Sequence, residues 1–127
     1  NATWTGDLWK TGGAATWMNG SYDPETKTVF WGTGNPYPDY DGDYRRGDNL
    51  YSDSVIALDA ETGRLKWHYQ FTPFDWWDYD GVNEMLLTDI RHEGRTVKAE
   101  PFTRIEQSWR TTEFPDGAPD STLVIEP

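Results

Sequence analysis

Four runs of the chain carry a two-residue rhythm of apolar and polar positions. They are "GAATWMNGSYD" from Gly13 to Asp23, "TKTVFWGT" from Thr26 to Thr33, "YSDSVIALDA" from Tyr51 to Ala60 and "GRLKWHYQF" from Gly63 to Phe71. In the last run Leu65, Trp67 and Tyr69 share one face, and Lys66, His68 and Gln70 share the other, because successive side chains of a strand point to opposite sides. Each run predicts a short strand, bounded by turn residues such as Asn19-Gly20. A long polar stretch, "NPYPDYDGDYRRGDN" from Asn35 to Asn49, separates the second run from the third. A loop of that length inside a compact domain is usually functional or disordered.

The rhythm repeats. "DPET" at Asp23 to Thr26 returns as "DAET" at Asp59 to Thr62, and a strand-like run follows each time. Repeats of 20 to 50 residues point to solenoids or propellers, and a four-stranded propeller blade takes roughly 40 to 45 residues. The expected fold class is therefore all-β, a partial β-propeller of about three four-stranded blades. The second copy has the sharper form A-x-D-x-x-T-G-x-x-x-W, from Ala57 to Trp67. Its Asp and Thr can shape a tight turn through local hydrogen bonds. Its Gly supplies a positive φ, its Ala permits close packing, and its Trp is expected to stack on a neighbouring sheet.

Composition narrows the function. The 127 residues include eight Trp, seven Tyr and five Phe, twelve Gly and eight Pro, which suits strands and turns better than helices. The net charge of −11 argues against a nucleic-acid partner, which would require clustered Lys and Arg. It suits a protein that holds a cation. With no cysteine, neither a disulfide nor a thiolate metal site can form within these residues. No run reaches the roughly 18 apolar residues of a membrane span, and membrane association stays open. The chain opens on Asn1 rather than Met, as expected of a processed chain or a piece of a longer one.

The stretch "DWWDYDG", Asp75 to Gly81, sets carboxylates among large aromatics, where desolvation makes each charge costly. In an extended segment Asp78 and Asp80 would point the same way. Both could then converge on one hard cation, and its charge would relieve their mutual repulsion. The plainer reading is a solvated turn whose Asp side chains cap backbone amides, and Asp75 is read as structural. "DYDGD", Asp39 to Asp43, lacks the closing Glu of an EF-hand and reads as a solvated loop. Arg46-Gly47-Asp48, within "RRGDN", reads as a local turn. His68 is expected to face solvent and His92 to lie in a polar turn.

The ordered set "WKTGGAATWMNGSYDP", "WGTGNP…", "ALDAETGRLKW" and "DWWDYDG", from about Gly6 to Ile90, resembles the quinoprotein alcohol dehydrogenases. That family builds an eight-bladed propeller around pyrroloquinoline quinone, stapled by tryptophan docking motifs like the one at Ala57 to Trp67. The resemblance implies an internal portion of such a propeller over residues 1–99, followed by a divergent tail over 100–127. It implies Asp78 as the catalytic base, Trp17 as the platform under the quinone, and Asn35, Asp78 and Asp80 as metal ligands. The family's glutamate ligand has no counterpart within these residues. An acidic residue two positions after the catalytic aspartate resembles the rare-earth-dependent members, so a lanthanide(III) is favoured over calcium. The implied activity is oxidation of a primary alcohol to an aldehyde. A cytochrome c would accept the electrons, and the compartment would be the periplasm. The competing expectation is a non-catalytic propeller scaffold or carbohydrate-binding module. Conjunction of Asn35, Asp78 and Asp80 about one point separates the two.

Overall fold

A computed structural model describes residues 2–92, 94–103 and 121–125. Two compact units divide the chain, Asn1–Val82 and Asn83–Pro127. The first holds four strands: β1 (Ser21–Asp23), β2 (Thr28–Thr33), β3 (Ser54–Asp59) and β4 (Leu65–Gln70). They form one antiparallel sheet in chain order, β1-β2-β3-β4, the up-and-down meander of a propeller blade. A single turn of 3-10 helix at Leu8–Lys10 precedes them. The second unit holds β5 (Thr88–His92), β6 (Arg95–Thr103) and β7 (Ser121–Ile125), again antiparallel and in order. The described residues thus form one four-stranded and one three-stranded sheet, with much of the rest of the described residues in loops.

Register explains the docking motif. Phe30 of β2 lies opposite Ala57 of β3, and Ala57 lies opposite Trp67 of β4. These three residues form one row across the blade. Ala57 is fully buried and small, so the rings on either side close over it, with centroids 5.8 Å apart and tilted by 42°. Phe30 and Val55 are buried with it, and complete burial of one such side chain stabilises by about 1.5–3 kcal/mol. Trp67 therefore packs across its own sheet onto Phe30, a contact the expectation of stacking on a neighbouring sheet did not include. β4 is the outer strand, and Leu65 and Tyr69 on its apolar face remain exposed.

Both repeated turns close alike. Asp59 Oδ1 accepts from the Thr62 hydroxyl at 2.7 Å and from the Thr62 and Glu61 amides at 2.8 and 3.2 Å. Asp23 accepts from the Thr26 hydroxyl at 2.7 Å and the Glu25 amide at 3.0 Å. The next step of each turn is left-handed. It is taken by Gly63 at φ +68° in one copy and by Lys27 at φ +52° in the other. Only the former is free of steric cost.

Two expectations shift. Of the run Gly13 to Asp23, only Ser21–Asp23 is strand. Gly13 and Ala14 have positive φ, and the backbone of residues 12–15 pairs instead with residues 34–37. His92 ends strand β5 opposite Arg95, with the turn at Gly94 beyond it. Residues 104–120, most of the expected tail, lie outside the described residues.

Candidate functional site

The three stretches singled out by the sequence meet at Gly34, just beyond the end of β2. The first is held by backbone bonds. The Ala14 amide donates to the Asn35 carbonyl at 2.8 Å, the Gly34 amide to the Ala15 carbonyl at 2.9 Å, and the Tyr37 amide to the Gly12 carbonyl at 2.7 Å. Beyond Trp17, the Trp31 indole N–H donates to the Met18 carbonyl at 2.9 Å. Backbone bonds thus hold the chain on both sides of Trp17, and the residue itself is 56% exposed.

The third stretch arrives through Asp80. Its Oδ1 accepts the Asn35 amide N–H at 2.8 Å, and the Gly81 amide donates to the Thr33 carbonyl at 3.0 Å. A Cβ on Gly34 would overlap the Trp17 ring and sit 2.8 Å from Asp80 Oδ1. Only glycine lets the indole edge and the carboxylate approach the same backbone atom. Trp17, Asn35 and Asp80 are therefore brought together. Asp78 is tied to the long loop instead: its Oδ2 accepts from the Tyr40 hydroxyl at 3.3 Å. The negative charge of Asp78, followed by burial and this hydrogen bond, holds the Tyr40 phenol above its ordinary pKa.

The backbone around Asp78 differs from the extended segment expected. Asp78 and Asp80 are both left-handed, at φ +62° and +51°. Alternation of side chains along a strand is therefore not what aims them. The cause is Asp75, which is fully buried. Its carboxylate accepts the Trp77 amide at 2.9 Å and the Tyr79 amide at 2.7 Å, winding the chain into a turn. Left-handed non-glycine residues store strain, and such residues cluster at ligand clamps.

Asp39 to Asp43 form the solvated loop expected, with Tyr40, Asp41 and Asp43 exposed and Gly42 buried, but the longer loop from Asn35 to Asn49 also turns a charge inward. Arg45 is fully buried. Its guanidinium donates to the Pro38 and Asp39 carbonyls and to Asn49 Oδ1, each at 2.8 Å, and to the Asp75 carbonyl. Burial lowers the Arg45 pKa, against the pull of Asp75, Asp39 and Asp41. Gly42 is buried so closely against Trp76 that a Cβ would overlap the indole. Sequence reasoning missed Arg45, Asp39 and Tyr40. The adjacent pair Arg45-Arg46 gave no sign of which residue turned inward.

Among the described residues, no three His, Cys, Asp or Glu side chains gather as a metal site. The ligands expected from the sequence are two carboxylates, Asp78 and Asp80, with the Asn35 amide. Their chemistry suits a hard cation, and a calcium shell of 6–8 oxygens would need further ligands. The Asn35 Nδ2 donates to Asp39 Oδ1 at 2.5 Å and to the Pro36 carbonyl at 3.3 Å, which leaves Oδ1 as the end turned from Asp39. With the exposed indole of Trp17 beside the Gly34 cradle, the residues present fit a cation next to a flat cofactor.

Comparison with known proteins identifies the family. The family model "PQQ: Glucose/ethanol/alcohol dehydrogenase, beta-propeller domain" matches residues 1–101. The quinoprotein alcohol dehydrogenase PedH of Pseudomonas putida is 56% identical over 97 residues, 76% of this chain and 16% of PedH. A lanthanide-dependent methanol dehydrogenase of Methylorubrum extorquens is 48% identical over 93 residues, 73% of this chain and 15% of that protein. The structure of a europium-containing methanol dehydrogenase superposes with a TM-score of 0.75 at 42% identity, covering 80% of this chain and 18% of that one. The chain thus spans about a sixth of the length of these relatives. From its blade, its docking motif and these matches, the chain belongs to the PQQ-dependent glucose/ethanol/alcohol dehydrogenase family and forms part of that family's β-propeller.

Proposed function

We propose that this chain contributes the catalytic wall of a PQQ-dependent alcohol dehydrogenase that oxidises primary alcohols to aldehydes. The observation that carries the reading is the meeting of Trp17, Asn35 and Asp80 at Gly34, with Asp78 tied in through Tyr40. Asn35, Asp78 and Asp80 would hold the metal, and Trp17 would lie under the quinone. When bound, the quinone supplies a hydride acceptor and the cation a Lewis acid that polarises its carbonyl.

The chain's own residues do the rest. Asp78 takes the hydroxyl proton of the alcohol at a carboxylate oxygen, as a general base must within hydrogen-bond reach. Tyr40 donates to Oδ2 of that carboxylate and leaves the other oxygen for the substrate. Trp17 offers a flat apolar face. Asp80 adds a second negative charge, and Coulomb attraction then favours a trivalent ion over a divalent one. The lanthanide-dependent and europium-containing relatives support a lanthanide(III) over calcium. A methanol dehydrogenase [cytochrome c] subunit of Methylobacterium organophilum, 45% identical over 98 residues, supports a cytochrome c acceptor. The periplasm is the matching compartment.

The test is reconstitution. The chain replaces the matching segment of the P. putida relative, and the product is loaded with quinone plus calcium or lanthanum. Dye-linked alcohol oxidation is expected with lanthanum and is expected to fall at least about 10²-fold in Asp78→Asn, the scale of a lost general base. No activity with either metal, in a protein that folds, would return the chain to the scaffold reading.

A further inference from the structure

A carboxamide has one end that accepts and one that donates, and a half-turn of its last torsion exchanges them. A cation can use only the oxygen. Whatever fixes the amide of Asn35 therefore decides whether it is a ligand at all. Two acceptors face Asn35 Nδ2: Asp39 Oδ1 at 2.5 Å and the Pro36 carbonyl at 3.3 Å. A flipped amide would set its oxygen against both of these oxygens and lose both hydrogen bonds.

Asp39 is itself held in place. Its carbonyl accepts from Arg45 Nη2 at 2.8 Å, and the Pro38 carbonyl before it accepts from Arg45 Nε at 2.8 Å. The same guanidinium donates to the carbonyl of Asp75, whose carboxylate winds the turn bearing Asp78 and Asp80. One buried cation thus anchors both sources of the donor set: the loop that aims the amide, and the turn that carries the carboxylates.

We infer that Asp39 is a positioning residue for the metal: its carboxylate, anchored through Arg45, locks the Asn35 carboxamide with its oxygen towards the ion. The inference rests on the proposed role of Asn35 as a ligand. Residues that orient metal ligands in this way typically cost 10–100-fold in metal affinity when removed.

Lanthanum binding measured by calorimetry, in the chimera with the P. putida relative and with quinone present, separates the possibilities. Asp39→Ala is expected to weaken lanthanum binding on the order of 10–100-fold. Its unfolding midpoint without metal is expected to stay near the parent's. Asp39→Asn keeps an oxygen that can accept from Asn35 Nδ2, and most of the affinity is expected to return. If Asp39→Ala binds as tightly as the parent, the inference fails. Equal losses in both variants would assign the effect to the charge of Asp39 and also overturn it. Lanthanum binding by neither parent nor variants would instead sink the metal-site reading beneath it.

Discussion

Replacing Arg45 with alanine removes a fully buried side chain that joins the long loop to the Asp75 carbonyl, at the head of the carboxylate turn. Its bonds to Asn49 Oδ1 and to the Asp75 carbonyl are buried, and those to Pro38 and Asp39 are partly so. Each buried acceptor left without a donor costs about 1–3 kcal/mol, so the two buried ones alone amount to about 2–6 kcal/mol. The guanidinium also lies 5.9 Å from the centroid of Phe74, a contact worth about 0.5–1 kcal/mol or more. Against a typical domain stability of about 5–15 kcal/mol, the loss is large. Arg46 provides the internal comparison. It is 75% exposed at the side chain and pairs with Asp43 at 3.0 Å, an arrangement worth about 0.2–1 kcal/mol. Denaturant titration followed by tryptophan fluorescence is expected to show a large drop in midpoint for Arg45→Ala and almost none for Arg46→Ala. Arg45→Lys should recover only part, because a single ammonium cannot span the same four acceptors. Equal shifts for the Arg45 and Arg46 alanine variants would refute the assignment of Arg45 as the anchor.

Three smaller perturbations test other parts of the structure. Gly63 has φ +68° with open space where a Cβ would go, so Gly63→Ala should cost only the backbone term of about 1–2 kcal/mol in the same titration. Asp59 is held below its ordinary pKa, first by the Thr62 hydroxyl and then by the Thr62 amide. A depressed folded pKa means that this stability is present above the unfolded value and is lost as pH falls through the folded one. Thr62→Val should therefore flatten the pH dependence of unfolding below about pH 4. Gly34→Ala would push a methyl group into the Trp17 ring and against Asp80 Oδ1, so quinone binding should weaken in fluorescence titration while the blade keeps its β-rich circular dichroism.

The blade was legible because its signals are local. Alternation marked β2, β3 and β4 to within a few residues, and the repeated D-x-E-T turns closed by the Asp–Thr bonds their composition suggested. The meeting place at Gly34 was legible only as a set of motifs, since the bonds from Gly12 to Tyr37 and from Asn35 to Asp80 span distances that no window of sequence contains. Two matters stayed hidden for physical reasons. Asp75 overrides the extended geometry of "DWWDYDG" by capturing two amides, so the carboxylates are aimed by a turn rather than by a strand. Arg45 turns inward because backbone carbonyls from two separate segments converge on it. A charged residue in a polar loop carries no mark of such burial.

The proposed centre is tested most directly by locating the ion itself. Crystals of the chimera, grown with quinone and a lanthanide and measured at the metal's absorption edge, should show one anomalous peak. The Asn35 Oδ1 and an oxygen from each of Asp78 and Asp80 should lie about 2.3–2.6 Å from it, the range of a large hard cation. A peak with the Asn35 oxygen or the Asp80 carboxylate outside that shell would contradict the arrangement, whatever activity the protein showed.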